Sequence, residues 1–85
     1  MNWEKLGYIK ASQYRLKVVI ALSSQNKTPK DLKGELGMLM THVSSTLKNL
    51  ESKGIVECLT PDLRKGKIYS LTLEGQEIYK YICQD

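Results

Sequence analysis

The chain has 85 residues, of which 41% are hydrophobic and 26% are charged, and its formal net charge is +4. This length allows one domain with a single small core. Its longest apolar run, residues 18 to 22, is far too short to span a bilayer, and no apolar block follows a basic start, so we expect neither a membrane segment nor a signal peptide, and by default a cytoplasmic protein.

The first third of the chain predicts an arm and a central helix. Residues 1 to 11 are rich in apolar side chains, although Gly7 interrupts the segment. This density favours a short irregular or helical arm that packs on another surface, such as that of a second subunit. Ser12 suits the N-cap of a helix over residues 12 to 24. The apolar residues of this helix exceed one stripe, which indicates a central helix contacted on more than one side.

Two capped helices follow, separated by a tight turn. Thr28 suits the N-cap of a short helix over residues 28 to 36, and Gly37 can take the left-handed conformation that closes it. A longer helix is predicted over residues 41 to 53, where Gly54 offers a second left-handed stop. The spacing is that of a helix, a turn and a second helix.

The longer helix has two different faces. At about 100° per residue its apolar side chains, Met40, Val43, Leu47 and Leu50, fall on one arc. The opposite face is small, polar and cationic, which suits the major groove of DNA, although for an isolated helix an ordinary solvated face is the better interpretation. The candidate DNA-binding residues of this helix are Thr41, His42, Ser44, Ser45, Lys48 and Asn49.

The apolar period then changes to that of strands. Two short β-prone runs flank a segment rich in turn-forming and cationic residues, which predicts a β-hairpin over residues 55 to 73 with a basic tip. Thr72 suits the cap of a last helix over residues 73 to 83. The cations of the hairpin tip are Arg64, Lys65 and Lys67.

The sequence carries few of the residues on which catalysis or metal binding depends. It has one histidine, and Cys58 and Cys83 lack the short paired spacing of a zinc site. No phosphate-cradling glycine loop or nucleophile motif is present. We therefore predict a protein that is not an enzyme and that uses no cofactor or metal, with both cysteines as small buried hydrophobic residues.

This order of elements resembles a winged helix-turn-helix domain. Residues 50 to 56, Leu-Glu-Ser-Lys-Gly-Ile-Val, are similar to the segment that joins the recognition helix to the wing in MarR-like and ArsR-like transcriptional regulators. Residues 69 to 75, Tyr-Ser-Leu-Thr-Leu-Glu-Gly, are similar to the segment after the wing. One position departs, because Lys33 stands where the family usually has alanine. The resemblance implies a mainly α (α+β) fold with a three-helix core, a two-stranded wing and a C-terminal helix.

The resemblance also implies a dimeric repressor that binds double-stranded DNA. The charges agree, because residues 1 to 26 and 27 to 67 each carry a net charge of +3, whereas the remainder carries −2. Further DNA-binding candidates, in the backbone and wing, are Lys27, Thr28, Lys30, Arg64, Lys65 and Lys67. Predicted homodimer contacts are Trp3, Leu6, Tyr8, Ile9, Ile78, Tyr79, Tyr81 and Ile82. The alternative is a winged-helix module that binds another protein of the transcription machinery without reading DNA. No small-molecule effector is identified by the sequence.

Overall fold

Helices and one antiparallel hairpin make up the computed structural model, which describes residues 3 to 83. In this range the two strands pair with Val56 opposite Leu71 and Cys58 opposite Tyr69. The elements in chain order are α1 (Trp3–Lys10), α2 (Gln13–Ser24), α3 (Pro29–Leu36), α4 (Met40–Ser52), β1 (Val56–Cys58), β2 (Tyr69–Leu71) and α5 (Leu73–Cys83).

Side-chain caps begin three of the helices, as the sequence leads us to expect. The Ser12 hydroxyl accepts a hydrogen bond from the backbone N–H of Arg15 at 3.4 Å. Thr28 and Asp31 form a capping box, in which each side chain accepts from the backbone N–H of the other, at 3.2 and 3.1 Å. The Thr72 hydroxyl accepts from the Gly75 N–H at 3.0 Å where α5 begins.

The longer helix, α4, begins at Met40, one residue before the predicted start, and ends at Ser52. Leu39 is its N-cap and makes no side-chain hydrogen bond there. Both predicted glycine stops take left-handed conformations, with φ of +64° at Gly37 and +74° at Gly54. The turn between α3 and α4 and the exit from α4 are therefore set by local backbone geometry.

A single core joins all the helices to the hairpin. Helix α2 lies at its centre and packs against α1, α3, α4, α5 and β2, which explains why its apolar residues exceed one stripe. From α4, Val43, Leu47 and Leu50 are fully buried, whereas Met40 of the same predicted arc stays 38% exposed. Met40, the first residue of α4, therefore lies on the same arc but is only partly covered by the core.

A backbone bridge attaches the wing, the hairpin of residues 56 to 71, to the loop before α3. The N–H of Lys27 donates to the Tyr69 carbonyl at 3.1 Å, and the N–H of Tyr69 donates back at 2.8 Å. The Lys27 side chain is only 5% exposed, and its ammonium group pairs with Glu35 at 2.9 Å. The wing is thereby held in a defined position beside the start of α3.

Candidate nucleic-acid interface

All six candidate residues of α4 point away from the core and are exposed. Their placement follows from helix geometry, because Val43, Leu47 and Leu50 hold the opposite side of α4 in the core. The exposed side therefore presents short polar side chains and the ammonium group of Lys48 to solvent.

The start of α3, the exposed side of α4 and the wing tip enclose a groove of about 490 Å³. We call it the wing groove; it is lined by Thr28, Pro29, Lys30, Met40, Ser44, Arg64, Lys65, Gly66, Lys67 and Tyr69. A second groove of about 430 Å³ adjoins it and shares Pro29, Ser44 and Tyr69 with it. The second groove is also lined by Ser45, Leu47, Lys48 and Asn49. Residues far apart in the sequence thus form one continuous concave surface.

The charged side chains that line this surface are all positive. Four cations line the wing groove, a fifth lines the adjoining one, and neither groove is lined by an aspartate or glutamate. Within residues 3 to 83, none of Lys30, Lys48, Arg64, Lys65 and Lys67 forms an ion pair. A concave surface lined by one sign of charge concentrates the opposite charge, so this surface attracts a polyanion.

Tyr69 contributes a neutral wall to both grooves. Burial raises the pKa of its phenol above the usual 10.0, and the charge of Glu51 acts in the same direction. The hydroxyl group therefore stays protonated at neutral pH and brings no negative charge to the grooves.

Thr41 and His42 lie outside both grooves. The imidazole of His42 packs on the ring of Tyr14 from α2, with ring centroids 4.8 Å apart and planes inclined by 32°. Tyr14 is itself 42% exposed, so the two packed rings form an exposed aromatic surface at the edge of the α4 face. Sequence reasoning missed Tyr14, because the angle at which α2 crosses α4 brings the two rings together.

Lys27 does not belong to this surface, and its prediction as a phosphate contact was wrong. Its stem is buried and its ammonium group is already paired with Glu35. Gln25 and Asn26 before it are polar and exposed, and the bridge to Tyr69 turns Lys27 inward. Lys30, one turn further on, is exposed and lines the wing groove.

Thr28 lines the wing groove while serving as the cap of α3. Hydrogen bonds from Thr28, first from its backbone N–H and then from its side chain, lower the pKa of Asp31, and the charges of Lys27 and Lys30 act in the same direction. Asp31 is therefore ionised at neutral pH and places a negative charge at this helix terminus.

Lys33, the position that departs from the family pattern, does not displace α3. Its side chain is exposed, while Leu32 beside it is fully buried and fills the contact with the core. The carbonyl of Lys33 accepts the Gly37 N–H at 3.0 Å, so the turn into α4 is closed normally. No small residue is required at this position.

No family model and no curated protein sequence matches the chain. Solved structures do. The MarR family regulator NMB1585 from Neisseria meningitidis aligns with a TM-score of 0.80 at 19% identity, covering 95% of this chain and 58% of that one. The homodimeric winged helix-turn-helix DNA-binding domain of Mb0332 from Mycobacterium bovis, a possible ArsR-family regulator, gives 0.77 at 21% identity, with 95% and 74% covered. The chain has the winged helix-turn-helix fold.

The element order and the similarity to these structures confirm the winged helix-turn-helix fold class predicted from the sequence. A further MarR family transcription regulator, SP03579, aligns with a TM-score of 0.79 at 25% identity, covering 87% of this chain and 50% of that one. The winged helix spans just over half the length of NMB1585 and half the length of SP03579. In this fold α3 and α4 form the helix-turn-helix pair, and residues 56 to 71 form the wing.

A second exposed surface of the winged helix lies where α1 meets α5. The rings of Trp3 and Tyr81 contact edge to face, with centroids 5.3 Å apart, and are 63% and 40% exposed. The ammonium group of Lys5 pairs with Glu74 between the same two helices. We call the two rings the Trp3/Tyr81 pair.

Two of the predicted dimer contacts were wrong. Ile9 and Ile78 are fully buried within one chain, because α1 and α5 use them to pack on α2. Tyr79 is half-buried and lies near the end of α2. It is about 200° around α5 from Tyr81, so the two tyrosines face different sides of that helix. The other three predicted contacts, which are half-buried and pack against the core, are Leu6, Tyr8 and Ile82.

The described residues show neither a metal cluster nor a membrane helix. Between residues 3 and 83, no three histidine, cysteine, aspartate or glutamate side chains lie together in a way that could hold a metal ion. In the same range no helix combines the length and apolar character needed to cross a bilayer. Cys58 is half-buried and Cys83 is exposed, so the prediction of two buried cysteines was wrong, because Cys83 ends α5 on its solvent side.

Proposed function

We propose that this winged helix is a transcriptional regulator that binds double-stranded DNA sequence-specifically with α4 and the wing. The observation that carries the proposal is the pair of grooves around Ser44, which are lined by five cations and by no acidic side chain. The transcription regulators whose solved structures share this fold support it further. The chain covers only part of those proteins, so the activity of the whole protein belongs to the proposal.

The exposed side of α4 lies in the major groove in this proposal. Ser44, Ser45 and Asn49 have the short hydrogen-bonding side chains that read base edges, and Thr41 and His42 contact the edge of the same site. Lys30, Lys48 and the wing cations contact phosphates, and Thr28 does so only where its capping hydrogen bond leaves room. The backbone contacts set the register, and the α4 contacts carry the sequence information.

The regulator acts as a homodimer in this proposal, with the Trp3/Tyr81 pair at the interface. Two large aromatic side chains that are exposed together favour a contact with another chain. A symmetric dimer places two α4 helices on half-sites about 10 base pairs apart, and by covering that DNA it acts as a repressor in the cytoplasm.

Selection of bound duplexes from a random DNA pool at near-physiological salt tests the function. We expect enrichment of a palindromic sequence with half-sites centred about one helical turn apart. A pool carried through the same cycles without protein is the control. A pool that stays random despite folded protein would contradict sequence-specific binding and would favour the protein-interaction alternative.

Light scattering after gel filtration tests the dimer. We expect the wild-type chain to have the mass of a dimer, and the double variant Trp3→Ala, Tyr81→Ala to have the mass of a monomer. Ile20→Ala removes another exposed apolar side chain, which is 44% exposed on α2, and is expected to leave the dimer intact. A wild-type monomer would contradict the proposal and leave the Trp3/Tyr81 pair free for a different protein.

A further inference from the structure

Met40 is an apolar residue in a groove whose charged side chains are all cationic. It is the first residue of α4, is 38% exposed, and lines the wing groove together with Ser44, which lies one turn further along the same face. More than a third of this methionine thus remains outside the core, at the surface proposed to face DNA.

Phosphate binding does not account for an apolar side chain at this position. A thioether cannot donate a hydrogen bond, and it has no charge with which to attract a polyanion. Pro29 also lines the groove and adds a second apolar side chain to it. The wing groove therefore combines a cationic rim with a small apolar patch, and its ligand is expected to offer both negative charge and an apolar group.

Duplex DNA offers one apolar group in the major groove, the C5-methyl group of thymine. Methionine is unbranched and polarisable, so its side chain can adapt its shape to a methyl group that approaches at the start of a helix. The other pyrimidine, cytosine, presents an amino group to the major groove and no methyl group. The chemistry of the patch therefore selects thymine.

We propose that Met40 is a specificity-determining residue that reads the C5-methyl group of a thymine beside the base edges read by Ser44. The inference rests on the proposed function, because it requires α4 to lie in the major groove. It adds a base preference to that function: each half-site carries a thymine whose methyl group packs on Met40.

Replacing thymine by uracil, which lacks only the C5-methyl group, tests the inference. Fluorescence anisotropy is used to titrate wild-type protein into the selected duplex and into duplexes that carry uracil at one thymine at a time. At one thymine of each half-site, uracil is expected to weaken binding about fourfold, the factor that corresponds to about 0.8 kcal/mol for one buried methyl group. For Met40→Ala, the thymine and uracil duplexes are expected to bind equally.

Two variants accompany this experiment. Leu39→Ala removes a neighbouring apolar side chain that is 64% exposed and does not line the wing groove, and it is expected to retain the fourfold preference for thymine. Met40→Gln keeps the length of the side chain and replaces its apolar end, so it is expected to lose the preference even if Met40→Ala is poorly folded.

The outcomes separate the inference from the function on which it rests. Wild-type protein that binds the selected duplex but does not distinguish uracil from thymine at any position would overturn the inference and leave DNA binding intact. A preference for thymine that persists in both Met40 variants, or a selected site without thymine, would overturn it as well. Wild-type protein that binds no duplex would overturn the proposed function first.

Discussion

Replacing Gly75 with alanine is expected to lower the free energy of unfolding by about 3 kcal/mol, near the upper end of what overpacking a core costs. A Cβ atom at this position would lie 2.2 Å from the carbonyl oxygen of Ile55, far inside van der Waals contact. That carbonyl cannot easily move, because it accepts hydrogen bonds from the Thr72 N–H at 3.0 Å and the Thr72 hydroxyl at 3.1 Å. In a domain of this size we expect the melting temperature to fall by about 12 to 24 °C.

Gly34→Ala is the matched control for this substitution. Gly34 also lies in a helix, α3, but a Cβ atom there would have no neighbour within 4 Å. Alanine has the higher helix propensity, so this variant is expected to be as stable as the wild type or more stable by up to about 1 kcal/mol. Urea unfolding followed by circular dichroism compares the two. Equal stability of Gly75→Ala and wild type would mean that α5 leaves room for a Cβ atom beside the Ile55 carbonyl.

The sequence predicts those parts of the fold that depend on local hydrogen bonds. Thr28 and Asp31 are three residues apart, and this spacing alone allows a capping box to form. Gly37 and Gly54 take the left-handed conformation that glycine tolerates best. The i, i+4, i+7 stripe of α4 is buried because a helix repeats every 3.6 residues. None of these inferences requires knowledge of a distant contact.

Predictions failed where tertiary contacts decide the outcome. Apolar residues of α1 and α5 suggested an interface, but the sequence does not distinguish Ile9 and Ile78, which pack inward, from Trp3 and Tyr81, which remain exposed. Lys27 follows a polar loop, and only its bridge to Tyr69 explains its burial. These outcomes depend on the angles between helices, which periodicity does not specify.

The candidate site shows the same division. The positions of the cations can be seen in the sequence, and the order of elements places the hairpin directly after the longer helix. The sequence therefore identified most of the residues that line the wing groove. It did not predict that Met40 would stand in that groove or that Tyr14 would pack on His42. Both depend on where the first turn of α4 lies relative to α2 and the wing.

Replacing Arg64, Lys65 and Lys67 together with alanine is expected to weaken DNA binding by on the order of one hundredfold at about 0.15 M salt. Each phosphate contact releases condensed counterions, so the plot of log K against log salt becomes less steep when contacts are lost. Three lost contacts reduce the magnitude of its negative slope by about 2.7. The effect applies to all duplexes alike, because contacts with phosphates carry no sequence information. Anisotropy titrations at several salt concentrations, with a selected and a scrambled duplex, measure both quantities.

The variant Lys17→Ala, Lys33→Ala, Lys80→Ala removes the same net charge from residues that line neither groove. If long-range attraction by net charge governs binding, the two triple variants lose affinity equally. If the wing contacts phosphates, the control keeps nearly the wild-type salt slope, because counterions are released only where cations meet the duplex. An unchanged slope in the wing variant would remove the wing from the DNA-binding surface. Binding would then rest on α3 and α4, with Lys30 and Lys48 as the remaining cations of the two grooves.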